Sequence, residues 1–226
     1  MLQLVIGNKN YSSWSMRPWV LMRQHGIVFD EIRLRFEFAP GSAFYRELAR
    51  YTPVGKVPVL LIDGFAVWDT LAIAEALADL YPALPLWPHD RQQRARARSL
   101  AAEMHAGFAA LRNHCPMNIE AHLPQIGERV LGSEPAVRRD LARIDAMWSE
   151  QVSRSGGPFL FGDFGAVDAF YAPVAARVRT YALPLSDAAA AYVERLWSSA
   201  GVSAWVADAL EEHDFIAEDE PYRSAR

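Results

Sequence analysis

Two adjacent serines, Ser12 and Ser13, lie in the run Tyr11-Ser12-Ser13-Trp14-Ser15-Met16-Arg17, where a polar loop gives way to helical spacing. Free N–H groups and the helix dipole at such a start favour an anion, and a thiol placed there ionises more easily. A serine hydroxyl donating to the thiolate is a charge-assisted hydrogen bond of about 1.5–3 kcal/mol, or about one to two pK units. From an ordinary thiol pKa of about 8.5, that shift takes the thiolate at neutral pH from a few per cent to roughly a third or more. The same serines also suit a loop end and a helix cap with no ligand at all. Asp69-Thr70 opens a later helical run, with Thr70 placed to cap it and to hold a second anion, or simply to cap. Lys56-Val57-Pro58 leads into a β-rich run, where a proline can begin an edge strand.

Other chemistries find no support. The six histidines, at 25, 89, 105, 114, 122 and 213, show no pair at metal-ligand spacing, so no metal is expected. There is no G-x-S-x-G hydrolase elbow. The single cysteine, Cys115, excludes a disulfide framework and a multi-cysteine zinc site. It repeats with Met104, Phe108 and Leu111 at i, i+4, i+7 and i+11, which reads first as a core stripe.

The elements that must hold these residues alternate at first. Leu2-Gln3-Leu4-Val5-Ile6 reads as a buried strand ended by Gly7. A helix is expected from near Ser15, its cap, with Pro18 in the first turn and Gly26 at its end. Residues 32–38 alternate apolar positions with Arg33, Arg35 and Glu37, the period of a half-exposed strand. A short helical stretch carries Phe44, Leu48 and Tyr51. Two β-rich runs, 57–62 and 65–68, meet at Asp63-Gly64, a two-residue hairpin signal. Leu71, Ala74, Leu77, Ala78 and Tyr81 then recur at helical spacing. The order strand, helix, strand, helix, hairpin, helix implies a mixed sheet with helices packed on it, as in a thioredoxin-like domain.

Pro82, Pro85 and Pro88 interrupt the pattern as an interdomain linker. Beyond them strand signals nearly vanish, and helical stretches run over about 90–114, 134–152, 166–181 and 187–212, the last broken at Gly201. The fold class is therefore α/β plus all-α: a thioredoxin-like domain over residues 1–81, a linker over 82–89 and a helical domain over 90–226. Six acidic residues between 211 and 220 read as a solvated, partly ordered end. Arg91, Arg94, Arg96 and Arg98 form a solvated or subunit-facing surface.

With 226 residues, 51% of them apolar, the chain can bury a substantial core. Its 23 basic and 27 acidic residues give a net charge of −4, so no global basic field draws in nucleic acid. The N-terminus lacks a signal pattern and no run approaches a membrane span, so a soluble cytoplasmic protein is expected.

Three motifs coincide with these elements: the Tyr11 to Arg17 run, Tyr51-Thr52-Pro53-Val54-Gly55-Lys56-Val57-Pro58-Val59-Leu60, and Asp69-Thr70-Leu71-Ala72-Ile73. In this order and spacing they resemble the glutathione transferase superfamily across essentially the whole chain, in its bacterial, serine-type, theta/zeta-like branch. The resemblance implies glutathione as co-substrate, conjugation of its thiolate to a small apolar electrophile, and a homodimer. It assigns Ser12 to the thiolate, by its spacing of five residues before Arg17, with Ser13 next. It makes the Val57-Pro58 bond cis, so that the Val57 backbone pairs with the cysteinyl unit. It directs Lys56 to the glycyl carboxylate and Asp69 and Thr70 to the γ-glutamyl carboxylate. It places the Met104, Phe108 and Leu111 face beside the electrophile. Relatives have Ser or Thr where Gly165 stands, three residues before a structural Asp168, so half a capping box remains. The alternatives are a glutathione-dependent isomerase or peroxidase on the same site, or a binding or scaffold protein that has lost chemistry. Zeta-class isomerases match at Ser12, Ser13 and Arg17 but carry a cysteine where this chain has Trp14.

Overall fold

The computed structural model describes residues 1–226. Four strands, β1 (Leu2–Ile6), β2 (Asp30–Arg33), β3 (Val59–Ile62) and β4 (Phe65–Val67), form one mixed sheet in the order β2-β1-β3-β4. β1 is parallel to β2 and antiparallel to β3. As the central strand it is a continuous apolar run with Leu4, Val5 and Ile6 fully buried. Period-two alternation sends Leu2, Leu4, Ile6 and Leu60 into the main core, and Val5, Val59 and Leu61 into a second cluster of eight buried residues. Helices α1 (Ser13–Gln24) and α3 (Thr70–Leu80) pack in the main core, while α2 (Ala43–Leu48) supplies Phe44 and Leu48 to the second. The β3–β4 hairpin turns at Asp63 and Gly64, both with positive φ, as a type I′ turn requires.

The rest is helical: α4 (Arg91–Ala106), α5 (Ala109–His114), α6 (Pro124–Ser133), α7 (Pro135–Ser155), α8 (Ala166–Tyr181), α9 (Asp187–Trp197) and α10 (Ala200–Glu211). An N-terminal thioredoxin-like half is thus followed by a helical half. α8 is buried along its whole length except Arg179, which marks it as the central helix. No helix is long and apolar enough to cross a membrane.

Several boundaries differ from the sequence expectation. The helix expected from Ser15 begins at Ser13 with Ser12 as N-cap; Pro18 is then past the first turn and offers no N–H to the Trp14 carbonyl. The strand expected over 32–38 pairs only to Arg33, yet Ile32, Leu34, Phe36 and Phe38 still alternate inward against exposed Arg33, Arg35 and Glu37. The expected 90–114 helix is two, separated by the Gly107 cap and a left-handed Phe108. The last helical stretch breaks at Ser198 and Ser199, not Gly201. Gly201 lies inside α10 because a Cβ there would meet the Val20 carbonyl oxygen at 2.5 Å, so the residue allows α10 to approach α1. α6 was not anticipated.

Candidate active site

Sheet register brings the three motifs to one end of the sheet. β1 ends there at Ile6 and leads through Gly7 towards Ser12. Two residues beyond the Val5–Val59 pair, Val57 falls level with Gly7. Two or three residues beyond the Leu60–Val67 pair, the same end carries Asp69 and Thr70. Residues 12, 57 and 70 are far apart in sequence and adjacent by topology.

Ser12 is 5% exposed and its Oγ accepts the Ser15 N–H at 3.4 Å, the capping bond of α1. The Ser12 and Ser15 hydroxyls are 2.7 Å apart, with Ser12 donating, and Ser15 Oγ accepts the Gly7 N–H at 3.2 Å. Hydroxyl protons rotate to suit their partners, so the direction of the shared bond can reverse. Ser13, half-buried at the first position of α1, makes no side-chain hydrogen bond within the chain. The neighbouring Tyr11 hydroxyl faces away from the serines, donating to Glu220 at 2.8 Å. Burial, and then that bond, push its pKa up to about 12, so it stays a neutral donor.

The Val57–Pro58 peptide is cis. Val57 lies outside β3, and neither its N–H nor its C=O is used by the chain's own backbone hydrogen bonds; Pro58 is buried and Lys56 exposed. At the start of α3 the roles expected for the pair are reversed: Asp69, not Thr70, is the N-cap, with Oδ1 accepting the Leu71 N–H at 3.1 Å. Thr70 is buried at the first helical position, its Oγ1 3.5 Å from His105 Nδ1. His105 Nε2 lies 3.3 Å from Asp69 Oδ2, and its ring meets Trp14 edge-on at 5.0 Å. Trp14 and His105 therefore join the starts of α1 and α3 to the end of α4. Burial, outweighing Asp69, lowers the His105 pKa. A lone histidine has no spacing signal, which is why His105 escaped the sequence reading.

Arg17 is 1% exposed, and its Nε and Nη1 have no hydrogen-bond partner. Its guanidinium lies over Trp14 at 4.1 Å and Phe170 at 5.1 Å, contacts worth about 0.5–2 kcal/mol. Burial, then Arg177 and Arg112, push its pKa down to about 9, which still leaves it charged at neutral pH. Arg177, from α8, is likewise lowered to about 10 by burial and Arg112. Arg112 lies over the Trp14 ring at 5.6 Å. Asp69 offsets part of this field, but its oxygens are already engaged by Leu71 and His105. Arg177 is satisfied by the Cys115 and Pro173 carbonyls at 2.8 and 3.0 Å and half-buried Arg112 by the His105 carbonyl at 3.3 Å, which leaves Arg17 as the buried cation with N–H groups to spare.

The candidate face of α4 is mostly core. Met104 and Leu111 are completely buried, and Phe108 keeps 8% exposure; the break at Gly107 takes Leu111 onto α5. Cys115 is buried too, and burial pushes its thiol up to about 11, so it behaves as a small hydrophobe. Asp168 accepts the Gly165 and Leu160 N–H groups at 2.9 and 3.1 Å and the Tyr192 hydroxyl at 2.8 Å, which is structural work. The linker passes close to Gly165: a Cβ there would lie 3.1 Å from the Leu86 carbonyl oxygen. A 740 Å³ apolar groove beside α8 and α9 includes none of the candidate residues.

Residues 11–80 match the family model of the glutathione S-transferase N-terminal domain. A maleylacetoacetate isomerase of Rattus norvegicus is 26% identical over 176 residues, 77% of this chain and 78% of the relative. A maleylacetoacetate isomerase of Mus musculus is 31% identical over 102 residues, a match spanning 45% of this chain and 47% of the relative. Among solved structures, a glutathione transferase homologue from Burkholderia with bound glutathione shares 22% identity and superposes with a TM-score of 0.70, covering 93% of this chain and 98% of that one. Residues 11–80 are thus similar to the glutathione S-transferase N-terminal domain, a relative aligns along most of both chains, and the fold of a glutathione transferase homologue is shared over nearly the full length.

Proposed function

We propose that the protein is a glutathione transferase joining the glutathione thiolate to a small apolar electrophile, and that Ser12 supplies the proton that stabilises the thiolate. The observation that carries this reading is the hydroxyl chain at the start of α1. Ser15 Oγ already accepts the Gly7 N–H, so it can give its proton to Ser12 Oγ across their 2.7 Å contact. Every donor along the chain is then satisfied, and the Ser12 proton is left for the sulfur. The S–H proton leaves to solvent. The sulfur lone pair then forms the C–S bond as the electrophile's leaving group departs with its electrons. The protein lowers the thiol pKa and holds sulfur and carbon together.

In this reading the Val57 N–H and C=O pair with the cysteinyl unit as an added strand. Thr70 and the first N–H groups of α3 hold the γ-glutamyl carboxylate, and exposed Lys56 faces the glycyl carboxylate. Asp69 acts through His105 instead of touching the ligand, and Phe108 is the one α4-side candidate with surface left for the electrophile. Binding to immobilised glutathione, followed by assay against electrophiles and peroxides, tests the proposal. Retention with turnover of at least one electrophile is expected; retention with no turnover on any would favour a binding or scaffold role.

A second reading, a glutathione-dependent isomerase of maleylacetoacetate type, is favoured by the similarity to maleylacetoacetate isomerases and by the positive field of buried Arg17 and Arg177 with half-buried Arg112, which suits an acceptor bearing a carboxylate. Against it stands Trp14, in the place of the zeta-class cysteine. Loss of turnover of a carboxylate-bearing acceptor in Arg177→Met, with an uncharged acceptor unaffected, would decide for this reading.

A further inference from the structure

The last fifteen residues do not form a solvated tail. From the end of α10 the chain returns to the turn that precedes Ser12 and takes up the polar groups of that turn. Glu212, whose side chain is 1% exposed, accepts the Lys9 N–H at 2.6 Å through one carboxylate oxygen and the Asn10 N–H at 3.1 Å through the other. Asp214 accepts the Asn8 side-chain amide at 2.8 Å. Glu220 accepts both the Tyr11 hydroxyl and the Asn118 amide at 2.8 Å. α10 adds Trp205, donating to the Lys9 carbonyl at 3.0 Å, and Asp208, paired with the buried Lys9 ammonium at 2.5 Å. On its other side the turn is fastened to the serines: the Asn8 carbonyl accepts the Ser12 N–H at 2.8 Å, and the Tyr11 carbonyl accepts the Ser13 N–H at 2.9 Å. No free joint separates the C-terminal segment from Ser12.

We propose that residues 212–220 form a strap that positions the serine-bearing turn, with Glu212, Asp214 and Glu220 as positioning residues for the reaction. The role rests on the transferase reading above, and it is indirect, since none of the three carboxylates bonds to Ser12 or Ser13. Their chemistry suits the task. One buried carboxylate holding two backbone N–H groups fixes the turn in place and orientation, as exposed ion pairs do not. A thiolate donor displaced by about one ångström loses about a hundredfold in rate, so the loop needs a rigid support. A Gly-Asn-Lys-Asn loop has no apolar side chain to provide one; Phe36, Asn118, Ile119 and Glu120 hold Asn8 and Asn10, and the far end of the chain holds the Lys9 and Asn10 backbone N–H groups.

The test compares Glu212→Ala, Glu212→Gln and Tyr11→Phe with Glu194→Ala, which removes only an exposed pair with Arg179. In Glu212→Ala, turnover near neutral pH should fall about tenfold and the pKa of bound glutathione rise by about half to one unit, while the glutathione KM stays within about twofold because Val57 and Thr70 are untouched. Glu212→Gln, which keeps one acceptor oxygen, should be intermediate, Tyr11→Phe should move in the same direction, and Glu194→Ala should match the wild type. Hydrogen exchange on the ligand-free protein reads the same link without glutathione. The Ser12 and Ser13 amides should exchange about tenfold faster or more in Glu212→Ala, with the β3 amides unchanged. A lower melting temperature in these variants, with Ser12 exchange, thiol pKa and turnover all at wild-type values, would overturn the proposal and leave the strap as a stabiliser of the fold. Faster Ser12 exchange in a protein that binds no glutathione would support the mechanical link and refute the transferase reading.

Discussion

Replacing Ser12 by alanine removes two things that the structure allows to be separated. The first is the cap of α1, an oxygen accepting the Ser15 N–H, whose loss costs about 1 kcal/mol of stability. The second, on the proposed reading, is the proton offered to the sulfur, a charge-assisted bond of about 1.5–3 kcal/mol. In pK terms that is about one to two units, so turnover near neutral pH should fall about ten- to a hundredfold and recover as pH rises above the new pKa. Ser15→Ala isolates the relay. It leaves the Ser12 hydroxyl in place but takes away the group that polarises it, and orphans the buried Gly7 N–H. A smaller rise, about half a unit, should accompany a stability loss of about 1–3 kcal/mol. Ser13→Ala, which breaks no side-chain hydrogen bond in the chain, should change neither quantity. The assay is the pH dependence of thiolate absorbance in the binary complex, because it reports ionisation without assuming the right electrophile. A rise in Ser13→Ala with none in Ser12→Ala would exchange their roles. No rise in either would mean that the helix start and the Arg17 field carry the thiolate, and that the hydroxyl chain is only a cap.

Three further outcomes follow from particular contacts. Thr70→Val should weaken glutathione binding by about 1–2 kcal/mol with the fold intact, because Asp69 caps α3; unchanged affinity by calorimetry in a folded variant rejects the γ-glutamyl assignment. Buried Asp168 is held up at about 6 against its ordinary 3.8, so its contribution is present below that lower value and lost as pH rises through the upper one. Relative to Asp168→Asn, the wild type should therefore lose roughly 3 kcal/mol across this window, and urea titrations at successive pH values showing the opposite slope would contradict the assignment. The protein should sediment as a homodimer at micromolar concentration, covering the exposed Phe65, Trp68 and Val54 of the sheet half; a monomer there would rule this out.

The parts of the fold that were readable are those fixed by neighbours in sequence. The Asp63-Gly64 turn, the buried β1 run and the bounds of α8 depend on local φ preference and periodicity, and all three stand where the sequence puts them. Errors arise where a distant backbone decides. Gly201 looks like a helix break until α1 is seen against it, whereas the half capping box at Gly165 and Asp168, a local feature, stands as expected. The 32–38 run shows the same division, since its alternation describes which way side chains face and carries no information on where pairing with β1 stops.

Charge in the site was the least legible quantity, because its sign depends on which residues meet. A net charge of −4 argues against a polyanionic partner for the surface as a whole, but it averages over groups that fold apart. Six acidic residues in the final segment look like a solvated run, yet Glu212 and Glu220 are drawn in by N–H, hydroxyl and amide groups more than a hundred residues away. At the same time α1, α5 and α8 each contribute one arginine, Arg17, Arg112 and Arg177, and no acid is dedicated to them. The chain thus keeps acids behind the serine-bearing turn, while Arg112 and Arg177 donate to backbone carbonyls and, of the three, only Arg17, on α1, keeps buried N–H groups without a partner. On the proposed reading, the buried Arg17 charge would favour a thiolate or carboxylate that the protein's overall charge would not attract, because low-dielectric surroundings make an interaction stronger than the same pair in water.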